Sequence, residues 1–145
     1  MMRASEGSHV DVATAERGLA VLLAACDRAV EEIGASVPPA QLRALLIIGQ
    51  AGSMNLNRLA YALDSTASAT SRLTDRMQMA GLLTRDRAAA SRREIVLLPT
   101  ESGRRLADWV QAQRREALSQ VLAAMSPAAR DALAHGLTAL ADGTP

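Results

Sequence analysis

Between Ala51 and Thr100 the chain changes its periodicity three times, and this constrains the fold more than any other feature. Ala51-Gly52-Ser53 breaks a preceding apolar helix, and Asn55 then offers an N-cap side chain for a short helix over Leu56 to Leu63. Asp64-Ser65-Thr66 is a tight polar turn. Thr66 can cap a second helix running to about Ala80, where Gly81 supplies the left-handed residue on which helices commonly end. The pattern next becomes extended: Leu82-Leu83 and Ile95-Val96-Leu97-Leu98 lie on either side of Ala88-Ala89-Ala90-Ser91, which predicts a two-stranded hairpin. Two short helices joined by a tight turn and followed by a hairpin make a winged helix-turn-helix.

Long helices are expected on both sides. Val12 to Ile33 carries Leu19, Leu22, Cys26, Val30 and Ile33 at helical spacing, with Glu16, Arg17, Asp27, Arg28, Glu31 and Glu32 opposite. Val37-Pro38-Pro39 interrupts this pattern. Gln41 to Gln50 is apolar on nearly every side, as a central buried helix would be. Thr100 caps a long helix with apolar Leu106, Trp109, Val110, Leu118, Val121, Leu122 and Met125. Ser126-Pro127 starts the last helix, which carries Leu133, Leu137 and Leu140. With no Phe, one Tyr and one Trp, the core must be aliphatic. The expected class is therefore mainly α with a small β-hairpin wing, in a single domain of residues 1–145. Its winged helix-turn-helix lobe spans about 38–98, between long N- and C-terminal dimerisation helices at about 10–36 and 100–142. The terminal apolar stripes exceed what one compact winged domain can cover, so a homodimer is expected.

Other classes are disfavoured. A composition of 49% apolar and 21% charged residues is that of a globular chain. No apolar run approaches the roughly 18–20 residues of a membrane span, and MMRASEGSHVDV has no signal-peptide core, so the chain reads as cytoplasmic. A lone cysteine excludes an internal disulfide framework, and Cys26 falls on the apolar stripe, where it packs as a small hydrophobe. His9, His135 and Cys26 stand at no ligand spacing and form no nucleophile–base pair, so neither a metal, a cofactor nor an enzyme is expected.

The net charge of +1 conceals an uneven distribution. Residues 53–98 hold seven arginines against four acids, a local excess of +3, whereas the first 52 residues are net negative. The helix after Thr66 presents small polar Ser68, Thr70 and Ser71, over which a backbone can approach base edges, and Arg72 and Arg76, which reach phosphate or guanine. A solvated helix face is the plain alternative, and the neighbouring short helix and hairpin favour DNA. In the hairpin, Arg92 or Arg93 at the tip suits a narrow minor groove, where negative potential concentrates. Arg85 and Arg87 at its base would face phosphates or pair with Asp75 and Asp86, Arg85 being the most structural of the four wing arginines.

These residues resemble the MarR family of bacterial transcription regulators. Leu59-Ala60, Leu63, Thr66, Ser71-Arg72-Leu73, Asp75-Arg76, Gly81-Leu82 and Arg85 follow the family's helix-turn-helix spacing without a gap, and Leu98-Pro99-Thr100 with Gly103 matches the start of its fifth helix. The similarity runs from about Val37 to Ala141, with the first helix matching loosely. One departure lies in the wing, where the family's usual aspartate is replaced by Ser91 before Arg92-Arg93. The resemblance implies a DNA-binding repressor on a pseudo-palindromic operator, released by a small apolar or phenolic anionic ligand. It makes Ser68, Thr70, Ser71, Arg72 and Arg76 the recognition-helix contacts and Arg87, Arg92 and Arg93 the wing contacts. Trp109 is read first as core and otherwise as lining the family's ligand pocket. The competing class is a helical dimeric protein-interaction module that has lost DNA reading.

Overall fold

The computed structural model describes residues 11–31, 37–88 and 91–143, without the side chains of residues 87–88 and 91–94. Helices α1 (Val12–Glu31), α2 (Pro39–Ala51), α3 (Leu56–Ala62), α4 (Ala67–Met79), α5 (Glu101–Ala123) and α6 (Pro127–Gly143) accompany strands β1 (Met54–Asn55), β2 (Leu83–Ala88) and β3 (Ser91–Pro99). Ile33, expected in the first helix, lies outside the described residues. The chain divides into two units, one of residues 30–113 and the other of residues up to Ala29 together with those from Arg114 onward.

Residues 30–113 contain the main core. α2 is its centre, as its apolar sequence requires: Leu42, Leu45, Leu46 and Ile48 are all buried. Around them pack Leu59 of α3, Leu73 and Met77 of α4, Leu83 and Leu97 of the sheet, and Ala107 and Val110 of α5. No aromatic side chain takes part in that cluster. The packing is carried mainly by Leu, Ile and Val with Met77, each worth about 1.5–3 kcal/mol when fully buried.

The sheet is larger than the expected hairpin. β3 is central, in the order β1-β3-β2, with both neighbours antiparallel. Leu97 lies opposite Met54 on one side and Arg85 on the other. The apolar run Ile95 to Leu98 thus belongs to a middle strand rather than to one arm of a two-stranded ribbon. β1 escapes sequence patterning because two residues show no alternation, and Asn55 serves both as strand partner and as cap of α3.

In the second unit burial is sparse. Ala25 is the buried residue of α1, and α6 buries none of its residues. Leu19, Val21 and Leu23 of α1 are each more than half exposed, and Leu140 of α6 is 67% exposed. Cys26, expected as core, is a half-buried free thiol. Among the described residues, no helix is long and apolar enough to cross a membrane.

Candidate nucleic-acid interface

The helix pair is built by local chemistry. Asn55 Oδ1 accepts from the Arg58 amide at 2.9 Å and Thr66 Oγ1 from the Ala69 amide at 3.2 Å, so each helix has a side-chain cap where the sequence places one. The turn between them closes by two amide donations, Asp64 to Tyr61 O and Ser65 to Ala60 O. This is the paired bonding of a Schellman motif, which needs a left-handed residue at its bend. Asp64 fills that position at φ 51°, a conformation that aspartate tolerates better than most side chains. α4 ends in the same way: Gly81 at φ 71° donates to Gln78 O, and Leu82 donates to Met77 O. Both ends of the candidate recognition helix are therefore fixed.

A second joint anchors its C-terminal end to α5. The Thr100 amide donates to Leu82 O at 3.0 Å, and the Thr100 hydroxyl donates to Gly81 O at 2.6 Å. The same hydroxyl accepts from the Gly103 amide at 3.0 Å, capping α5. A Cβ added to Gly103 would stand 2.2 Å from Leu82 O, so this approach requires glycine.

The helical period divides α4 into an inner and an outer face. Thr70, Leu73, Thr74 and Met77 are buried, while Ser68, Arg72, Asp75 and Arg76 are exposed and Ser71 is half-buried. The exposed side is thus small and polar at its start and cationic further on, as expected. Thr70 is the correction. It lies three residues before Leu73 and seven before Met77, which turns it into the core with 0% exposure, out of reach of a groove. Its hydroxyl has no hydrogen-bond partner among the described residues.

In the wing, Arg87 belongs to β2, and Arg92 and Arg93 to β3, but all three side chains lie outside the described residues. The pairing register with β3 shifts between Arg87 and Ala88. Arg85 is described in full. Its Nη2 donates to Thr74 Oγ1 at 3.0 Å and to Asp75 Oδ1 at 2.5 Å, so the pairing expected with Asp75 is present. The buried hydroxyl of Thr74 is the second acceptor, and the sequence does not announce it. A threonine inside an otherwise amphipathic helix gives no local sign of such a role.

Trp109 corrects its first reading: at 45% exposure it is not core, although Ala107 and Val110 beside it are. His135 is exposed, its Nδ1 lying 2.8 Å from Asp131 O, and His9 lies outside the described residues.

Comparison with known proteins agrees with this geometry. Residues 37–95, which contain the helix pair and most of the wing, match the MarR family. YfiV, an uncharacterized HTH-type transcriptional regulator of Bacillus subtilis (strain 168), is 24% identical over 100 residues. That match takes in 69% of this chain and 62% of YfiV's own length. Among solved structures, Rv1404 from Mycobacterium tuberculosis superposes with a TM-score of 0.81 at 29% identity, over 99% of this chain and 98% of its own. A MarR family protein from Bacillus stearothermophilus gives a TM-score of 0.75 at 26% identity, over 90% and 93% of the two chains. Over residues 37–95 the chain thus matches the MarR family, and its fold resembles that of a solved MarR family protein.

Proposed function

We propose that this protein is a homodimeric repressor that binds a pseudo-palindromic operator and leaves it when a small apolar or phenolic anion binds. The observation that carries DNA reading is the outer face of α4, where Ser68 and the half-buried Ser71 precede the exposed Arg72 and Arg76. In the major groove, such a face brings backbone close to base edges and cations close to phosphate. Arg87, Arg92 and Arg93 extend the contact from the wing into the neighbouring minor groove. Residues 53–98, with seven arginines and four acids, supply the positive field that draws the duplex in.

A second copy is the occupant that fits the uncovered terminal helices. Leu19, Val21 and Leu23 of α1 and Leu137 and Leu140 of α6 are 46–67% exposed in the single chain. Exposed apolar side chains on both terminal helices support this reading. A two-fold dimer would set its recognition helices about one helical turn, roughly 10 base pairs, apart.

Neighbours of the same fold were solved as Streptococcus pneumoniae FabT in complex with DNA and NadR in complex with 4-hydroxyphenylacetate. The DNA binding of Bordetella bronchiseptica BpsR is regulated by 6-hydroxynicotinic acid. At 17–18% identity these support the fold, and their ligands suggest the effector class. Trp109 is the candidate pocket residue.

The test uses a duplex enriched by the wild-type protein from a random-sequence library. Arg92→Ala with Arg93→Ala should weaken binding on every sequence and flatten the plot of log affinity against log salt by roughly 0.9 for each phosphate no longer neutralised. Ser71→Ala should instead lower affinity for the enriched duplex more than for random DNA. A wild-type protein that enriches no sequence would replace this reading with that of a protein-interaction module.

A further inference from the structure

We infer that Arg85, Asp75 and Thr74 form a brace between wing and recognition helix, and that Arg85 and Asp75 serve operator binding as positioning residues rather than as contacts to DNA. The inference rests on the proposed DNA reading. Its basis is one guanidinium nitrogen shared between two acceptors on α4, with Arg85 Nη2 3.0 Å from Thr74 Oγ1 and 2.5 Å from Asp75 Oδ1. Thr74 is 1% exposed, and its hydroxyl hydrogen is donated to Ser71 O at 2.9 Å. The hydroxyl therefore has its donor committed to the α4 backbone and a lone pair directed at Arg85. Rotation of that hydroxyl would sacrifice one bond or the other.

The brace sits where the wing departs. Arg85 is on β2, opposite Leu97 of the central strand and two residues before Arg87. Leu97 is 1% exposed, so this register position is fixed in the core. The direction of β2 at Arg85 relative to α4 is thus set by the core on one side of the strand and by Thr74 and Asp75 on the other. A guanidinium suits this place because its planar, forked donors hold direction as well as charge. A pair so closed also has no net charge to offer phosphate, which separates Arg85 from Arg72 and Arg76.

Asp75 makes the inference testable by sign. Its side chain is 52% exposed, on the same outer face as Arg72 and Arg76. If its main effect on DNA were repulsion, Asp75→Asn would tighten binding to every duplex. If it holds the brace, Asp75→Asn weakens binding to the preferred sequence.

The experiment titrates full-length wild type, Asp75→Asn, Arg85→Ala and the double variant, by fluorescence anisotropy over a range of salt. The probes are a duplex enriched by wild type from a random library and a scrambled duplex of equal composition. Each single variant should lose on the order of tenfold in affinity for the enriched duplex and little for the scrambled one, with the salt slope unchanged. The double variant should be no weaker than either single one, because both remove the same interaction. Tighter or unchanged binding by Asp75→Asn overturns the inference. So does an Arg85→Ala protein that loses equally on both duplexes and flattens the slope by roughly 0.9, the signature of a phosphate contact. Amide hydrogen exchange on the DNA-free protein tests the brace independently. Asp75→Asn should speed exchange in β2 and β3 and leave α2 as in wild type, whereas unchanged exchange in the strands refutes the brace even if DNA reading holds. Wild type that enriches no sequence defeats the DNA reading and, with it, the positioning role, while the exchange result still reports the brace.

Discussion

Gly103→Ala should be among the most damaging single-methyl changes in this protein. The added carbon would lie 2.2 Å from Leu82 O and 3.2 Å from Leu45 Cδ1. A carbon and a carbonyl oxygen settle at about 3.3 Å or more, so the start of α5 must retreat by about 1 Å. That movement falls on the Thr100 joint, whose bonds to Leu82 O and Gly81 O are 3.0 and 2.6 Å long. Stretching the first to about 4 Å abolishes it. Two weakened bonds cost about 1 kcal/mol each, and a crowded core another 1–3 kcal/mol. The better helix propensity of alanine returns less than about 1 kcal/mol. The net loss is roughly 2–4 kcal/mol. For a chain of this size, each kcal/mol moves the melting temperature by about 2–4 °C, so a drop of roughly 5–15 °C is expected. Thermal unfolding followed by far-UV circular dichroism, at one fixed protein concentration, measures it. Ser102→Ala, an exposed neighbour on the same turn, is the control and should melt as wild type does. If Gly103→Ala melted within about a degree of wild type, the close approach of α5 to Leu82 would not be the constraint described.

Three further outcomes are expected. Gly81→Ala forces an L side chain to φ 71° and should cost about 1 kcal/mol or more, with Asn the least harmful replacement in a denaturation series. Thr66→Ala removes the cap of α4 and should cost about 1 kcal/mol in the same series, and a change below a few tenths would show the cap to be idle. The proposed dimer predicts that, by sedimentation equilibrium, wild type sediments as a dimer and Leu19→Glu combined with Leu140→Glu as a monomer at the same concentration. A dimeric variant would move the interface elsewhere.

What the sequence made legible were features written in a few adjacent residues. Asn55, Thr66 and Ser126 cap helices because a short polar side chain reaches an amide only three residues away. Gly81 ends α4 for an equally local reason. Arg85 pairs with Asp75, as the charge pattern of helix and hairpin leads one to expect. Features fixed by tertiary contact were harder to see. β1 exists only by its register with β3. Thr70 looks like its neighbours Ser68 and Ser71, and only the rotation of α4 on its core decides that it is buried. Trp109 combines bulk with partial exposure, and composition alone favours the interior for such a residue.

The placement of the two aromatic residues also determines how this protein can be observed by light. Its ultraviolet signal comes from one tryptophan and one tyrosine, and neither belongs to the aliphatic core cluster. Tyr61 is 90% exposed on α3, and Trp109 is 45% exposed on α5. Because indole emission shifts to longer wavelength with hydration, a tryptophan already half wet in the native state changes colour only modestly on unfolding. Intrinsic fluorescence is accordingly a weak gauge of stability here. Under the proposed ligand reading, the same exposure would make it a gauge of occupancy: an aromatic anion settling beside Trp109 would replace water at the indole and alter emission without any unfolding. Tyr61, two residues ahead of Leu63 in the helix-turn-helix, reports separately on that motif. The chain carries two native optical labels, one on α3 and one on α5, that can be followed without a dye.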